Sequence, residues 1–335
     1  MNPLPSSGFH SDLTRKGLQL LLLLSFFSQA SSAYGQGLKK IAFLPQWFPQ
    51  AQFAGYYMAS EKGIYQKHGL DVTILRGGPE APVTDMLTRR KADITTLFLS
   101  TAIQRRAKGL RLVNIGQIVQ RSGFMLVARK GKGISRPQDL DGKKVSLWAD
   151  FQMQPLAFFR KYGLKVRVVP QTYTVNLFLR GGVDAASAMW YNEYHTILNS
   201  GLNEDEVTAF FFDRHGLNFP EDGIYCLEET VQKDQGLYAR FLRASLEGWR
   251  YAFARPEETL DVVMRRAGEA RSGTNRVHQK WMLARMKDII LPDGQDTRMG
   301  LLKEEEYRTV AGILRAGGLI HEIPDYREFH VHLLP

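Results

Sequence analysis

The sequence is poor in cysteine: Cys226 is the single one among 335 residues. One thiol cannot form an internal disulfide, and it cannot supply the several thiolates of a cysteine-based zinc site. The chain also has no second long apolar run after its N-terminal region, so no membrane-spanning helix is predicted there. Hydrophobic residues make up 44% of the chain, enough for more than one core, and two domains are the default expectation.

Several motifs of catalysis and cofactor binding are missing too. The sequence has no Gly-x-x-x-x-Gly-Lys phosphate loop, no Gly-x-Ser-x-Gly nucleophile turn and no His-Glu-x-x-His zinc helix. His330 and His332 lie near the C-terminus without a companion set of metal ligands. We therefore expect no catalytic residue, no metal site and no cofactor.

The N-terminal region departs from the average composition. Arg15 and Lys16 precede an apolar stretch at 18–27, and small residues follow at 31–33. This pattern predicts a secretory signal peptide over residues 1–33, because the apolar stretch is only about half as long as a membrane-spanning helix, the alternative, requires. No cysteine follows for lipid attachment, which favours a freely diffusing periplasmic protein.

The net charge of +10 would suit a nucleic-acid-binding protein. However, apart from short clusters at 89–91 and 105–106, the basic residues are scattered among acidic ones. Export would also separate the protein from nucleic acid. We expect no nucleic-acid partner and interpret the charge as a solvated basic surface, with contact to an anionic membrane or a membrane protein as the alternative.

A strand-helix-strand-helix-strand pattern occurs twice. In the first copy the helix ends at Gly69 and the last strand contains Asp93; Gly163 and Asp184 take the same places in the second. The predicted strands are 39–44, 70–75 and 92–98 in the first copy, and 143–148, 164–169 and 183–190 in the second. Such crossovers build parallel sheets covered by helices on both faces. The repeat predicts an α/β protein of two lobes with a ligand cleft between them.

Chain breaks suggest where the lobes meet. Turn residues at 131–137 and 213–223 predict two crossings between the lobes. We expect lobe 1 to comprise residues 38–128 and 225–335, and lobe 2 to comprise residues 129–224. The C-terminal helical region is expected to pack behind lobe 1. Ligands of such sheets bind beyond the carboxyl ends of the strands, so residues after each strand are the candidates.

In the first copy these candidates are aromatic and polar. Trp47 lies in a loop stiffened by two prolines, and its ring could stack on a flat ligand. Gln52 and Tyr56 could form hydrogen bonds at the ligand edge. The two aromatic residues, Trp47 and Tyr56, could instead belong to the core. Ser100 and Thr101 could cap a helix. Alternatively, the free main-chain amides at that helix start could bind an anionic or carbonyl group of a ligand.

The second copy adds a carboxylate. Its candidates after the strands are Trp148, Gln152, Trp190, Asn192 and Glu193. A carboxylate at a cleft requires a donor or a positive partner. Glu193 could therefore accept two N–H bonds from an amino-substituted ring, or it could form an ion pair with a nearby basic residue.

These segments together resemble a known family. Residues 47–57, 61–65 and 69–74 are similar to the opening signature of the thiamine-pyrimidine-precursor family, and 182–185 and 190–193 fit its second signature. This family joins periplasmic formylaminopyrimidine-binding proteins to eukaryotic thiamine pyrimidine synthases. The resemblance implies a two-lobed type II periplasmic-binding fold, with Trp47 stacked on the pyrimidine and Glu193 receiving its amino group.

The same resemblance implies a function. It points to a monomeric substrate-binding protein of an ABC importer that closes on a small-molecule ligand, either a pyrimidine precursor or a related heterocycle such as riboflavin, and delivers it to the membrane subunits. The synthases carry a cysteine-rich run that residues 217–225 lack here, so synthase activity is a weaker alternative. In that alternative Lys62 would be the candidate Schiff-base lysine. The other alternative is a binder of sulfonate, taurine or nitrate, in which Ser100 and Thr101 would dominate.

Overall fold

A computed structural model describes residues 1–3, 37–292, 294 and 299–334. The predicted signal peptide therefore lies almost entirely outside the described residues. The described residues from Lys40 onward form one compact unit that contains two sheets. No helix in the described part of the chain is long and apolar enough to span a bilayer.

Ten strands build the two sheets. They are β1 (Lys39–Leu44), β2 (Leu70–Ile74), β3 (Ile94–Leu97), β4 (Leu112–Gln117), β5 (Phe124–Arg129), β6 (Lys144–Leu147), β7 (Arg167–Pro170), β8 (Ala185–Met189), β9 (Val207–Phe211) and β10 (Gly223–Leu227). The first sheet has the order β2-β1-β3-β10-β4, and the second has the order β7-β6-β8-β5-β9.

Strand directions follow from the repeat. Strand β3 is parallel to β1, with Ile94 opposite Phe43, and β6 is parallel to both β7 and β8. Strand β10 is antiparallel to β3 and β4, and β5 is antiparallel to β8 and β9. The α/β expectation of two helix-covered sheets is confirmed, and both sheets are mixed rather than purely parallel.

Strand β5 differs from the expected division of the chain. The sequence places residues 38–128 in lobe 1 and the first crossing at 131–137. In the structure all of β5 pairs within the second sheet, so the chain leaves the first sheet between Gln117 and Phe124. It returns between Phe211 and Gly223, within the segment predicted for the second crossing. The placement of β5 was not predicted because the sequence pattern of a buried strand does not specify which strand it pairs with.

Thirteen α-helices connect and cover the strands in the described residues. They are α1 (Ala54–Glu61), α2 (Ile64–Lys67), α3 (Val83–Thr88), α4 (Leu99–Ala107), α5 (Met153–Lys161), α6 (Asn176–Leu179), α7 (Glu193–Asn199), α8 (Glu228–Lys233), α9 (Gln235–Ala254), α10 (Pro256–Glu269), α11 (Arg276–Ile290), α12 (Glu304–Ala316) and α13 (Tyr326–Phe329). Gly69 and Gly163 precede the second strands of the two copies with φ of 75° and 65°, a backbone conformation that favours glycine.

The long helix α9 packs tightly against α1 behind the first sheet. A Cβ at Gly248 would overlap the carbonyl oxygen of Gly55, and a Cβ at Gly55 would overlap the ring of Trp249. Trp249 is fully buried, and Leu242 on the same helix contacts the backbone of Gly116 in β4. Small residues thus let the two helices approach closely, and this packing holds the first turn of α1 beneath the loop that follows β1.

Candidate functional site

A cavity lies where strands of both sheets end. Its empty volume of about 430 Å³ includes open solvent at its mouth. The lining residues follow β1 (Gln46, Trp47, Gln50, Gln52), β3 (Phe98), β6 (Trp148, Phe151) and β8 (Tyr191, Asn192, Glu193), together with Met189 at the end of β8. The cavity is therefore built from corresponding positions of the two copies.

Aromatic rings form much of the cavity wall. The Trp47 ring centroid lies 6.3 Å from that of Phe151, and the Phe98 centroid lies 5.0 Å from it. Trp148 is held in place because its Nε1 donates to the carbonyl oxygen of Thr172 at 3.1 Å. Rings of this kind, fixed by their neighbours, suit a flat ligand that can stack or meet them edge to face.

The loop that carries Trp47 packs closely against Gly77. A Cβ at residue 77 would overlap the carbonyl oxygens of Pro45 and Trp47. The absence of a side chain there lets the segment after β2 approach this loop closely. Gln46 adds a second support, since its main-chain N–H donates to Thr96 Oγ1 at 3.0 Å. The backbone around Trp47 is therefore held in position by contacts within the protein.

Glu193 places a carboxylate in the cavity at the first turn of α7. Its Oε2 accepts from the main-chain N–H of Met189 at 3.0 Å, and its Oε1 accepts from Asn192 Nδ2 at 2.8 Å. Removal from water raises the pKa of Glu193 to about 7. The group is partly buried and lacks a basic partner among the cavity-lining residues, which are all described. It can accept further N–H bonds from a ligand.

A second carboxylate, Asp222, lies behind the lining. It is 3% exposed and accepts from Gln52 Nε2 at 2.6 Å and from Gln46 Nε2. Gln52 in turn accepts at Oε1 from Gln50 Nε2 at 2.5 Å. Burial raises the pKa of Asp222 to about 6, while the two amide donors act in the opposite direction. Three glutamines of the first-sheet wall are thus connected to one buried acid.

The neighbouring Glu221 joins the two crossings between the sheets. One of its carboxylate oxygens accepts from the main-chain N–H groups of Gly123 and Phe124 at 2.6 and 3.1 Å, and from Ser122 Oγ at 3.0 Å. Burial, followed by the charge of Asp222, raises the pKa of Glu221 to about 8. Because residue 221 lies in one crossing and residues 122 and 123 lie in the other, this carboxyl ties the crossings together.

Five of the residues predicted from sequence lie together at this cavity. They are Trp47, Gln52, Trp148, Asn192 and Glu193. Gln52 is turned toward Asp222 and Gln50, and Asn192 supports Glu193. The cavity therefore contains the predicted stacking ring and the predicted carboxylate.

The other five predicted residues lie elsewhere. Tyr56 is 1% exposed and packs in the core between Phe43 and Trp249, because its side chain points inward from α1. Ser100 is 5% exposed within the first turn of α4. Thr101 and Gln152 line a different hollow, which shares Gln46, Trp47 and Phe151 with the cavity. These positions do not support direct ligand contact by Tyr56 or Ser100.

Trp190 serves packing against α11 instead of the cavity. The guanidinium groups of Arg121 and Arg285 lie 5.9 and 4.8 Å from its ring centroid, and its carbonyl oxygen accepts from Trp281 Nε1 at 3.0 Å. Residues 190–192 form a turn after β8, in which Tyr191 reaches the cavity while Trp190 packs against α11.

Sequence reasoning missed several members of the site. They are Gln46, Gln50, Phe98, Phe151, Met189, Tyr191 and the buried pair Glu221 and Asp222. The first six follow or end the predicted strands, so the rule that selected Trp47 could have included them. The acidic pair lies in the predicted second crossing, and the local sequence carries no signal that distinguishes a buried carboxylate from one in a solvated turn.

The sequence of this chain is similar to one protein family and to several known proteins. Residues 50–259 match the model of the family described as NMT1/THI5 like. A protein of Haemophilus influenzae whose name assigns it to thiamine biosynthesis is 24% identical, over 88% of this chain and 92% of its own length. The formylaminopyrimidine-binding protein of Halalkalibacterium halodurans is 23% identical, over 76% of this chain and 80% of its own.

Two other proteins are similar over less than half of the chain or in fold alone. A 4-amino-5-hydroxymethyl-2-methylpyrimidine phosphate synthase of Saccharomyces cerevisiae is 27% identical over 149 residues, which are 44% of this chain and 42% of the enzyme. The periplasmic aliphatic sulphonate binding protein SsuA of Escherichia coli superposes with a TM-score of 0.70 at 16% identity, over 87% of this chain and 91% of that one. The latter likeness confirms the predicted periplasmic-binding fold.

Proposed function

Since the chain belongs to the NMT1/THI5-like family, we propose that it is an exported substrate-binding protein that closes on a flat, amino-substituted heteroaromatic ligand. A pyrimidine precursor of thiamine is the leading candidate, and riboflavin is a related one. The ligand would occupy the cavity between the two sheets and be delivered to the membrane subunits of an ABC importer. No catalytic step is assigned to the protein.

The observation that carries this proposal is the combination of fixed aromatic rings with the Glu193 carboxylate. Trp47, Trp148 and Phe151 offer contact to a planar ring. Glu193 offers a carboxylate already supported by two N–H donors. An amino group next to a ring nitrogen that carries a proton could donate two parallel bonds to it, and such charge-assisted pairs are about twice as strong as neutral ones.

The same lining argues against a small anion as ligand. The described residues that line the cavity include one carboxylate and no lysine, arginine or histidine. A buried sulfonate or nitrate requires positive or donor partners, and here it would face the field of Glu193 with Asp222 behind Gln46 and Gln52. The likeness to a sulfonate-binding protein concerns the fold, which hosts many ligands.

Synthase activity is not supported by the position of Lys62. This lysine is absent from the cavity lining and forms an ion pair with Glu258. That pairing raises the pKa of Lys62, whereas Schiff-base formation needs a deprotonated amine. The similarity to the pyrimidine synthases also spans less than half of each chain, whereas the matched binding protein is covered over most of its length.

Location and partners form the wider part of the proposal. A signal peptide at residues 1–33 would deliver a soluble periplasmic monomer, and closure of the two sheets about residues 118–123 and 212–222 would be the state that the importer recognises. Relatives that carry the words periplasmic or binding protein in their names support this assignment.

The ligand class can be tested by thermal unfolding of the purified protein. The panel contains formylaminopyrimidine, 4-amino-5-hydroxymethyl-2-methylpyrimidine, riboflavin, taurine and nitrate. A ligand at about a hundred times its dissociation constant adds about 2.7 kcal/mol, enough to raise the midpoint by several degrees. We expect a shift with a pyrimidine or with riboflavin. A shift with taurine or nitrate alone would contradict the proposal, as would measurable pyrimidine synthesis from pyridoxal phosphate and iron.

A further inference from the structure

Asp222 occupies an unusual place relative to the cavity. It is almost fully buried and is not a lining residue, yet both of its oxygens accept amide N–H groups from residues that do line the cavity. Gln46 donates to Oδ1 and Gln52 donates to Oδ2, the latter at 2.6 Å. The acid therefore contacts the inner side of the first-sheet wall.

The charge of this acid dictates how the amides are turned. An ionised carboxylate only accepts hydrogen bonds, so each glutamine must present its NH₂ group to Asp222 and direct its oxygen elsewhere. The oxygen of Gln52 is used by Gln50 Nε2 at 2.5 Å. For Gln46, the oxygen is turned away from the acid and is left for a ligand, together with the second N–H of its NH₂ group. The amide of Gln50 is oriented in the same way, because its NH₂ group is directed to Gln52.

The wall that faces Glu193 therefore offers acceptor oxygens in fixed positions. Gln46 and Gln50 present oxygens from the first-sheet side, and Glu193 presents a carboxylate from the second-sheet side. A ring with N–H groups on its edges can satisfy these atoms. A carbonyl oxygen in place of an amino group would meet another acceptor and leave both groups unpaired, which costs free energy in a buried site.

We propose that Asp222 is a specificity-determining residue, which orients Gln46 and Gln52 so that the cavity selects ring edges bearing N–H groups over edges bearing carbonyl oxygens. The inference rests on the proposed function, because it assumes that the ring binds in this cavity. Asp222 acts through the two glutamines and does not itself touch the ligand. It is therefore a positioning residue.

The test compares two ligands that differ in one group, 4-amino-5-hydroxymethyl-2-methylpyrimidine and its 4-oxo counterpart. Calorimetric titration gives the ratio of their affinities for the unaltered protein and for Asp222→Asn. An asparagine keeps the shape, but its own NH₂ group can donate, so Gln46 can turn and offer its donor to the cavity. We expect the unaltered protein to prefer the amino compound at least tenfold, and the variant to reduce this ratio at least tenfold.

The matched control is Glu228→Gln, which neutralises a different, partly buried carboxyl that contacts neither glutamine and does not line the cavity. Its amide oxygen can still accept from Arg106 and Arg111, so the fold should persist and the affinity ratio should stay unchanged. An equal loss of affinity for both ligands in Asp222→Asn, or an unchanged ratio, would overturn the inference.

A measurement without ligand separates this inference from the proposed function. Nitrogen-proton NMR of the side-chain amides reports whether the NH₂ groups of Gln46 and Gln52 are bonded to the charged acid. Both should shift strongly in Asp222→Asn and little in Glu228→Gln. Absence of a shift at Gln46 would refute the role of Asp222. If the shift occurs but no pyrimidine binds the unaltered protein, the proposed ligand is wrong and the orientation of the glutamines stands.

Discussion

The two sheets share one arrangement but contribute different chemistry. In each sheet the three strands of one copy lie side by side, β2-β1-β3 and β7-β6-β8, and an antiparallel strand from a crossing, β10 or β5, comes next. Both sheets place loops at the same cavity. The first supplies glutamines and Trp47, whereas the second supplies Trp148 and the carboxylate of Glu193. The arrangement of strands decides where the site lies, and the loop residues decide what it can bind.

The segments that join the sheets add a third component. Glu221 bonds the backbone of the first crossing, and Asp222 bonds the glutamines of the first-sheet wall. Neither belongs to a copy of the repeat. The chemical asymmetry of the cavity therefore depends partly on residues outside the repeated pattern.

The largest expected effect concerns the helix packing behind the first sheet. In Gly248→Ala the new methyl group would overlap the carbonyl oxygen of Gly55, so the helices α1 and α9 must separate. We expect a loss of about 3 kcal/mol of unfolding free energy in a denaturant titration. Gly312→Ala in α12 is the matched control: its Cβ meets nothing within 4 Å, so it should be neutral or stabilising by up to about 1 kcal/mol. Similar values for both variants would contradict this packing.

Removing the charge on the second-sheet side should come next in magnitude. Glu193→Gln keeps the size of the side chain but replaces one acceptor oxygen with a donor. We expect a 10- to 100-fold loss of affinity for an amino-pyrimidine, corresponding to about 1.4 to 2.8 kcal/mol, measured by calorimetry. Tighter binding of taurine or nitrate in the same variant would agree with the acceptor character of the cavity. Unchanged pyrimidine affinity would remove Glu193 from the site.

The buried carboxyls predict an unusual pH dependence of stability. The folded-state pKa values of Glu193 and Glu221 are raised from 4.5 to about 7 and about 8. The folded state therefore binds protons more strongly than the unfolded state, so this contribution to stability is present at low pH and is lost as the pH rises through these values. Histidines with lowered pKa act in the opposite direction up to about pH 7.5, one unit above the ordinary histidine pKa; they are His195, His215, His278 and His330.

The window in which the carboxyls dominate is therefore about pH 7.5 to 8.5. We expect the unliganded protein to lose on the order of 1 kcal/mol of unfolding free energy across it, measured by denaturant titration at each pH. Glu221→Gln should remove most of this slope, whereas Glu193→Gln should remove little of it. A stability that rises across this window would refute the assignment.

The smallest expected effect distinguishes two tryptophans that sequence reasoning placed in the same class. Trp47→Leu should lower affinity for a flat ligand by about tenfold, because a well-placed ring contributes about 0.5 to 1.5 kcal/mol beyond burial. Trp190→Leu should leave affinity within about twofold, since Trp190 packs against Arg121 and Arg285. Equal losses of affinity in both variants would mean that packing against α11 affects the cavity as strongly as direct contact does.

Local pattern was sufficient for part of this protein. The alternation of apolar residues predicted the strands of both copies, and the carboxyl-end rule placed Trp47 and Glu193 beside the cavity, because both depend on residues near one another in the chain. Local pattern also indicated the glycine helix ends before β2 and β7. These features required no knowledge of which strands become neighbours.

Tertiary structure decided the rest. Strand β5 reads as an ordinary buried strand, and only its pairing with β8 and β9 assigns it to the second sheet. Tyr56 follows the loop of the cavity in sequence, but α1 turns it into the core. Asp222 lies 176 residues from Gln46, and their contact exists only because the second crossing returns β10 beside β3. Periodicity records which residues become buried, whereas the hydrogen-bond partners of a buried charge depend on segments that meet only after folding.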